Sequence, residues 1–69
     1  GNVVHDLLTL KITHPELLHG APLLIYDYTG RVLKRVSVTR ASFSLDVHYL
    51  TPGMYFLRLG SSVLKFIKR

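Results

Sequence analysis

Hydrophobic residues alternate with polar ones over several short stretches of this chain. Leu8, Leu10 and Ile12 follow a period of two, and the run from Phe43 to Val47 repeats it. Apolar residues spaced three or four positions apart, as in an amphipathic helix, are much rarer in this chain. A period of two is typical of a β-strand with one buried face. The pattern therefore predicts an all-β chain.

Turn residues interrupt these runs at short intervals, and the stretch from Pro15 to Gly20 is too short for a stable helix, so we interpret it as a loop. Many short strands at this spacing are typical of an antiparallel sandwich or a small barrel. The predicted strands are Leu7–Ile12, Leu23–Tyr26, Arg31–Val38, Phe43–Val47, Met54–Leu59 and Val63–Lys68, with an additional short strand at Asn2–His5.

The strand Leu23–Tyr26 is apolar in both phases of the alternation. Such a strand either lies centrally with both faces covered or carries an exposed apolar patch.

Two turns carry more specific information. Asp27 and Gly30 have the chemistry of a tight hairpin, because Asp can accept a backbone hydrogen bond two residues on and Gly adopts a positive φ. One carboxylate is too little for a calcium site, which needs six or more oxygen ligands. Pro52 and Gly53 match a type II turn. After this turn, Tyr55, Leu57 and Leu59 share one strand face. We predict that Leu50, just before the turn, is buried in the core.

The length of 69 residues limits the chain to one domain. A chain this short buries only about 60% of its unfolded surface, which argues against a free-standing enzyme with a deep active site. It contains no cysteine, so disulfides and thiolate chemistry are excluded. We expect no catalytic activity and no cofactor.

Candidate catalytic and metal sites are weak. Ser44, Asp46 and His48 alternate along one predicted strand, but a hydrolase triad needs its base between the nucleophile and the carboxylate, and here Asp46 stands in the middle. The histidines at positions 5, 14 and 19 show no spacing typical of a metal site. We interpret all of these as surface residues.

The net charge of +5 suits an anionic partner, either nucleic acid or lipopolysaccharide. A nucleic-acid reader would combine cations with stacking aromatic residues. Near one hairpin this chain carries Arg31, Lys34, Arg35, Arg40, Tyr26 and Tyr28. A small basic β-domain that binds nucleic acid or carbohydrate is therefore the alternative hypothesis.

The longest apolar run is Ala21 to Tyr26, which is too short for a membrane span, and the first residues lack the basic-then-apolar pattern of a signal peptide. The first residue is Gly1 and not Met. We expect a single domain, residues 1–69, excised from the C-terminus of a longer secreted protein, with Arg69 at the natural end.

Four motifs in order carry a family resemblance. They are Asp6-Leu7-Leu8-Thr9-Leu10, then Ile25-Tyr26-Asp27-x-x-Gly30-Arg31-x-Leu33, then Leu45-Asp46-x-x-x-Leu50-x-x-Gly53-x-Tyr55-x-Leu57-x-Leu59, and finally Lys65-Phe66-Ile67-Lys68-Arg69. Together they resemble the type A C-terminal sorting domain of the type IX secretion system over essentially the whole chain. Many family members open with an Asn-Pro pair, whereas Val3 follows Asn2 here.

The resemblance implies a small antiparallel immunoglobulin-like β-sandwich of six to seven strands that acts as a non-catalytic secretion signal. It implies recognition by the outer-membrane translocon and associated shuttle or sortase proteins, close to anionic lipopolysaccharide, and no nucleic-acid partner. The domain would pass through the periplasm to the outer-membrane surface or the extracellular space of a Gram-negative bacterium.

The basic final segment is the recognition site that this resemblance nominates: Lys65, Phe66, Ile67, Lys68 and Arg69. We predict a last strand with Phe66 on one face and Ile67 on the other. As an edge strand it would offer unpaired backbone groups that a receptor can extend into a sheet.

Overall fold

The computed structural model describes residues 3–13 and 22–69. Within these ranges the chain forms strands and connecting turns and contains no helix, which confirms the all-β prediction. The seven strands are β1 (Val3–Val4), β2 (Leu7–Lys11), β3 (Pro22–Asp27), β4 (Val32–Ser37), β5 (Ser42–Asp46), β6 (Gly53–Leu59) and β7 (Ser62–Lys68). The loop predicted at Pro15 to Gly20 lies outside the described residues.

The strands form two sheets. The larger has five strands in the order β1-β7-β6-β3-β4, and the smaller pairs β2 with β5. The two sheets enclose a core to which both contribute, as shown by Leu8 and Leu45 of the small sheet and Ile25 and Leu57 of the large one. This arrangement fits an immunoglobulin-like sandwich.

One pairing departs from the antiparallel prediction. β1 runs parallel to β7, with Val3 opposite Ile67 and Val4 opposite Lys68. The other pairings among the described strands are antiparallel. A parallel neighbour requires a long connection through the rest of the fold, so local turn chemistry does not reveal it.

The doubly apolar strand combines parts of the two sequence interpretations, because it is central in its sheet but only one of its faces is fully buried. β3 lies between β6 and β4, with Leu23 and Ile25 buried in the core. Leu24 and Tyr26 point to the other face and are half-buried. That face of the sheet is partly open to solvent and carries apolar residues, since Val63 and Val32 on the same face are exposed.

The hairpin between β3 and β4 closes as predicted. The Asp27 N–H donates to the Arg31 carbonyl at 3.0 Å, and the Gly30 N–H donates to the Asp27 carbonyl at 3.0 Å. Gly30 has φ of 89°, the left-handed backbone that ends a three-residue hairpin loop. A register shift after Ile25 then leaves Leu33 as an extra residue in β4, which is a β-bulge.

The turn at Gly53 differs from the type II prediction. Gly53 is the first residue of β6 and has φ of 156°, much more extended than the value of about 80° at the third position of a type II turn. Its backbone already belongs to the ladder with β7, where it lies opposite Lys68. The face prediction nevertheless holds, because Leu50, Tyr55, Leu57 and Leu59 are all buried.

The conformation of Gly30 predicts a specific cost of substitution. A Cβ at this position would meet no atom within 4 Å, so a side chain has room and only the backbone conformation opposes it. We expect Gly30→Val to lower the free energy of unfolding by on the order of 1–2 kcal/mol, measured by urea denaturation.

Gly30→Asn is the matched variant, because asparagine tolerates a positive φ better than β-branched residues do. It should lose clearly less stability than Gly30→Val. Equal urea midpoints for Gly30→Val and the parental chain would show that the hairpin does not depend on this backbone conformation.

Candidate functional site

The final segment is built into the large sheet. β7 pairs with β6 along its whole length, from Ser62 opposite Leu59 to Lys68 opposite Gly53. Phe66 is 0% exposed and its ring stacks on Tyr55 with centroids 5.6 Å apart. Ile67 points to the opposite face of the sheet and is half-buried.

The edge-strand interpretation is wrong for the last residues of this segment. β1 pairs with the end of β7 on the side away from β6, so Ile67 and Lys68 have a strand neighbour on both sides. The Arg69 N–H also donates to the Val4 carbonyl at 2.9 Å. A receptor that extends a sheet would find the backbone of residues 67–69 already occupied by β1.

The charge at the end of β7 is not wholly on the surface either. Lys68 is only 7% exposed, and its Nζ donates to the Arg69 carbonyl at 3.1 Å. The residue lies in the inward phase of β7, opposite Gly53, which has no side chain to compete for that space. Of the five nominated residues, Lys65, Ile67 and Arg69 present side chains to the surface, whereas Phe66 and Lys68 are buried.

The Asp27 side chain organises the hairpin loop. Its Oδ1 accepts from the Thr29 N–H at 2.9 Å, from the Arg31 N–H at 3.0 Å and from the Thr29 hydroxyl. The bond from the Thr29 hydroxyl is the main cause that holds the pKa of Asp27 below its usual value. The carboxylate thus supports the loop, which is the structural role expected for it.

Tyr55 connects the turn before β6 to the core. Its hydroxyl donates to the Thr51 carbonyl at 2.6 Å, while its ring packs against Phe66. A tyrosine that bonds back to the backbone a few residues upstream is a known feature of immunoglobulin-like sandwiches. This bond bridges Pro52 and Gly53 and holds the bend that the type II turn was expected to provide.

Of the residues considered for catalysis, Asp46 and His48 contact each other, whereas Ser44 bonds to a neighbouring strand. The Ser44 hydroxyl lies 3.2 Å from the Thr9 hydroxyl on β2, and β5 ends at Asp46, so His48 belongs to the following turn and not to the strand. The Asp46 Oδ1 accepts from the His48 N–H at 3.0 Å and lies 2.6 Å from His48 Nδ1. These bonds, the backbone one foremost, lower the pKa of Asp46, whose side chain is exposed.

Metal binding has no support in the part of the chain that the structure describes. No group of three or more His, Cys, Asp or Glu side chains comes together there. His14 and His19 lie outside the described residues, and His5 is exposed.

The basic stripe of the nucleic-acid hypothesis is divided between two faces. Lys34 lies opposite Ile25 and so points to the core side of the sheet, where its Nζ lies 5.3 Å from the centre of the Tyr49 ring. Arg35 lies opposite Leu24 on the other face. The predicted stripe is therefore not a single surface.

A different surface brings aromatic and basic residues together. On the side of the large sheet away from the core, Tyr26 lies opposite Phe56, and Phe56 lies opposite Lys65 on β7. Arg58 lies opposite Leu24 on the same face. The sequence signal for this surface was the apolar character of both phases of β3, but strand order was needed to place it beside β7.

The described residues thus define a small β-sandwich with open surfaces. They contain no helix, and so no helix that could span a membrane. Residues 2–69 match the family of secretion system C-terminal sorting domains. The chain belongs to this family, which confirms the resemblance to the type IX secretion sorting domains. The family is not known as catalytic.

Among characterised proteins, the chain is similar to Beta-agarase A of Zobellia galactanivorans. The two are 32% identical over 56 residues, which is 81% of this chain and 10% of that protein. The chain thus spans about a tenth of the length of this relative. No solved structure matches the chain.

The hydroxyl of Tyr55 provides a test of the turn geometry. We expect Tyr55→Phe to lower the free energy of unfolding by about 1 kcal/mol, because it removes the donor to the Thr51 carbonyl but keeps the ring against Phe66. Thermal and urea denaturation measure the change. Tyr28→Phe is the matched control, since that ring is 74% exposed in the hairpin loop. Equal losses in the two variants would contradict a role for the Tyr55 bond.

Proposed function

We propose that this chain is a non-catalytic secretion signal that directs a cargo protein across the outer membrane through the type IX translocon. Membership in the sorting-domain family over residues 2–69 is the observation that carries the proposal. That membership in general terms implies secretion toward the outer membrane or the extracellular space and contact with the secretion machinery. The translocon, its shuttle or sortase proteins, and proximity to lipopolysaccharide are the specific partners that we propose.

The architecture is consistent with recognition of a folded surface. The core uses the inward side chains of β6 and β7, and most exposed polar residues belong to turns and outward strand positions. A protein with little interior to spare can offer a partner only its surface. We therefore propose that the machinery reads side chains of the folded domain and does not read an unfolded tail.

The final segment contributes to that surface through alternate residues. Lys65 and Ile67 share the outward phase of β7, and Arg69 follows the strand as an exposed residue. Phe66 and Lys68 are buried, so in this proposal they position the segment and do not contact a partner. The signal function of 65–69 and its folding function then belong to different side chains.

We further propose that residues 1–69 form a single domain attached to the C-terminal end of a larger cargo. The similar segment of Beta-agarase A occupies 10% of that protein, which is consistent with a small module on a much longer chain. The cargo would cross the periplasm with the module attached and reach the outer-membrane surface or the medium.

A passenger fusion tests the function. A periplasm-directed fluorescent protein is fused upstream of residues 1–69 and expressed in a bacterium with a type IX system and in a mutant that lacks its translocon. We expect passenger at the cell surface or in the medium only when both the domain and the translocon are present. Equal export without the translocon would contradict the proposal.

Charge reversal tests the final segment. We expect Lys65→Glu with Arg69→Glu to reduce export of the passenger severalfold, because both side chains are exposed and a complementary acidic surface would be repelled. The matched control is Lys11→Glu with Arg40→Glu, which makes the same charge change at exposed positions elsewhere.

Thermal denaturation must show that both double variants remain folded. Equal export by the two would show that the segment is not read through its charge. Lys68 is left unchanged, because reversal of a residue that is 7% exposed would place a carboxylate in a buried site and confound recognition with unfolding.

A further inference from the structure

The side of the large sheet that faces away from the core is unusually apolar for a solvent face. We call it the outer face and define it by the outward side chains of β3, β4, β6 and β7. Its apolar members include Tyr26, Val32, Met54, Phe56, Val63 and Ile67. Val63 is 63% exposed and Val32 is 49% exposed. The outward face of an antiparallel sheet is ordinarily polar, so this composition indicates a contact surface.

The charged residues of the outer face have one sign. Arg35 lies beside Leu24, Arg58 lies on the other side of Leu24, and Lys65 lies beside Phe56. No Asp or Glu occupies an outward position of these four strands. The nearest acidic residue in sequence, Asp27, lies at the hairpin end, where its Oδ1 is occupied by bonds within the loop.

We propose that the outer face docks a protein surface that is apolar at its centre and carries carboxylates around it. This inference rests on the proposed function, since the partner would be a component of the secretion machinery. Charge complementarity selects the partner: three cations without an interspersed carboxylate favour an acidic surface and repel a second copy of the same face. The exposed aliphatic side chains supply the apolar contact that a phosphate backbone would not use.

The final segment takes part in the same surface. Lys65 and Ile67 are the only residues of 65–69 that belong to the outer face, and they lie next to Phe56 and Met54 of β6. The proposed docking surface thus extends from the final segment across β6 to β3 and β4, although these last two strands are far from the segment in sequence. Arg35 and Arg58 test this extension, because they belong to β4 and β6 and lie outside the final segment. Arg58 Nε donates to the Gly60 carbonyl at 3.1 Å, so its variant is also checked for folding.

The passenger fusion, with residues 1–69 intact, provides the assay. We expect Arg35→Glu with Arg58→Glu to reduce export by about tenfold, while Lys11→Glu with Arg40→Glu, which makes the same charge change away from the outer face, exports within about twofold of the parental fusion. Val63→Ser tests the apolar part and should also reduce export. Its control is Leu7→Ser, because Leu7 is 61% exposed on β2 of the other sheet.

Thermal denaturation of the purified variants must show melting temperatures close to the parental value. The docking inference would be overturned if both outer-face variants were folded and exported the passenger at the parental level. The sorting function would stand in that case, provided that export of the parental fusion needs the translocon. Loss of translocon dependence in the parental fusion would instead overturn the proposed function and this inference with it.

Two direct binding measurements address other partners. The purified domain is titrated with phosphatidylglycerol vesicles and with oligothymidylate at about 0.15 M salt, where long-range attraction is screened. We expect that neither probe binds saturably in a way that depends on Arg35 and Arg58. The variant Arg35→Glu with Arg58→Glu should therefore behave like the parental domain. Saturable binding of this kind to the vesicles or to the oligonucleotide would overturn the assignment of a protein partner.

Discussion

The packing of Phe66 on Tyr55 is the interaction on which the rest of this domain depends. Phe66 is fully buried, its ring stacks on that of Tyr55, and the Tyr55 hydroxyl holds the Thr51 carbonyl before β6 begins. A two-layer sandwich with this small a core cannot lose a large aromatic side chain without losing much of its stability. The last strand is therefore required for the stability of the fold, independently of any partner that recognises it.

That constraint shapes how the final segment can act as a signal. Alternation along β7 gives inward positions to Phe66 and Lys68 and outward positions to Lys65 and Ile67. In the function that we propose, folding and recognition therefore use different residues of one strand. The short strand β1 occupies the backbone on the far side of its end. Recognition through side chains of a folded face is consequently a better account than capture of a free tail.

Local chemistry was enough to predict the strands and the hairpin closed by Asp27 and Gly30, because alternation and turn preferences act between near neighbours. Local chemistry did not predict features that depend on pairing between residues far apart in the sequence. The parallel pairing of β1 with β7 occupies the expected edge at Ile67 and Lys68, and this pairing has no local sequence signal. The predicted basic stripe is divided because Lys34 and Arg35 are neighbours in β4 and point to opposite faces, as strand alternation requires. The candidate surface on the outer face likewise needed the order of the strands.

The central claim, that the terminal strand belongs to the folded sheet and is not a free tail, is tested most directly by amide hydrogen exchange of the purified chain. Because β7 pairs on one side with β6 and its end pairs on the other with β1, its backbone amides near Phe66 and Ile67 should exchange as slowly as those of the central strand β3. Rapid exchange throughout residues 65–69, with β3 still protected, would contradict the account, because the segment would then be open while the rest of the domain is folded.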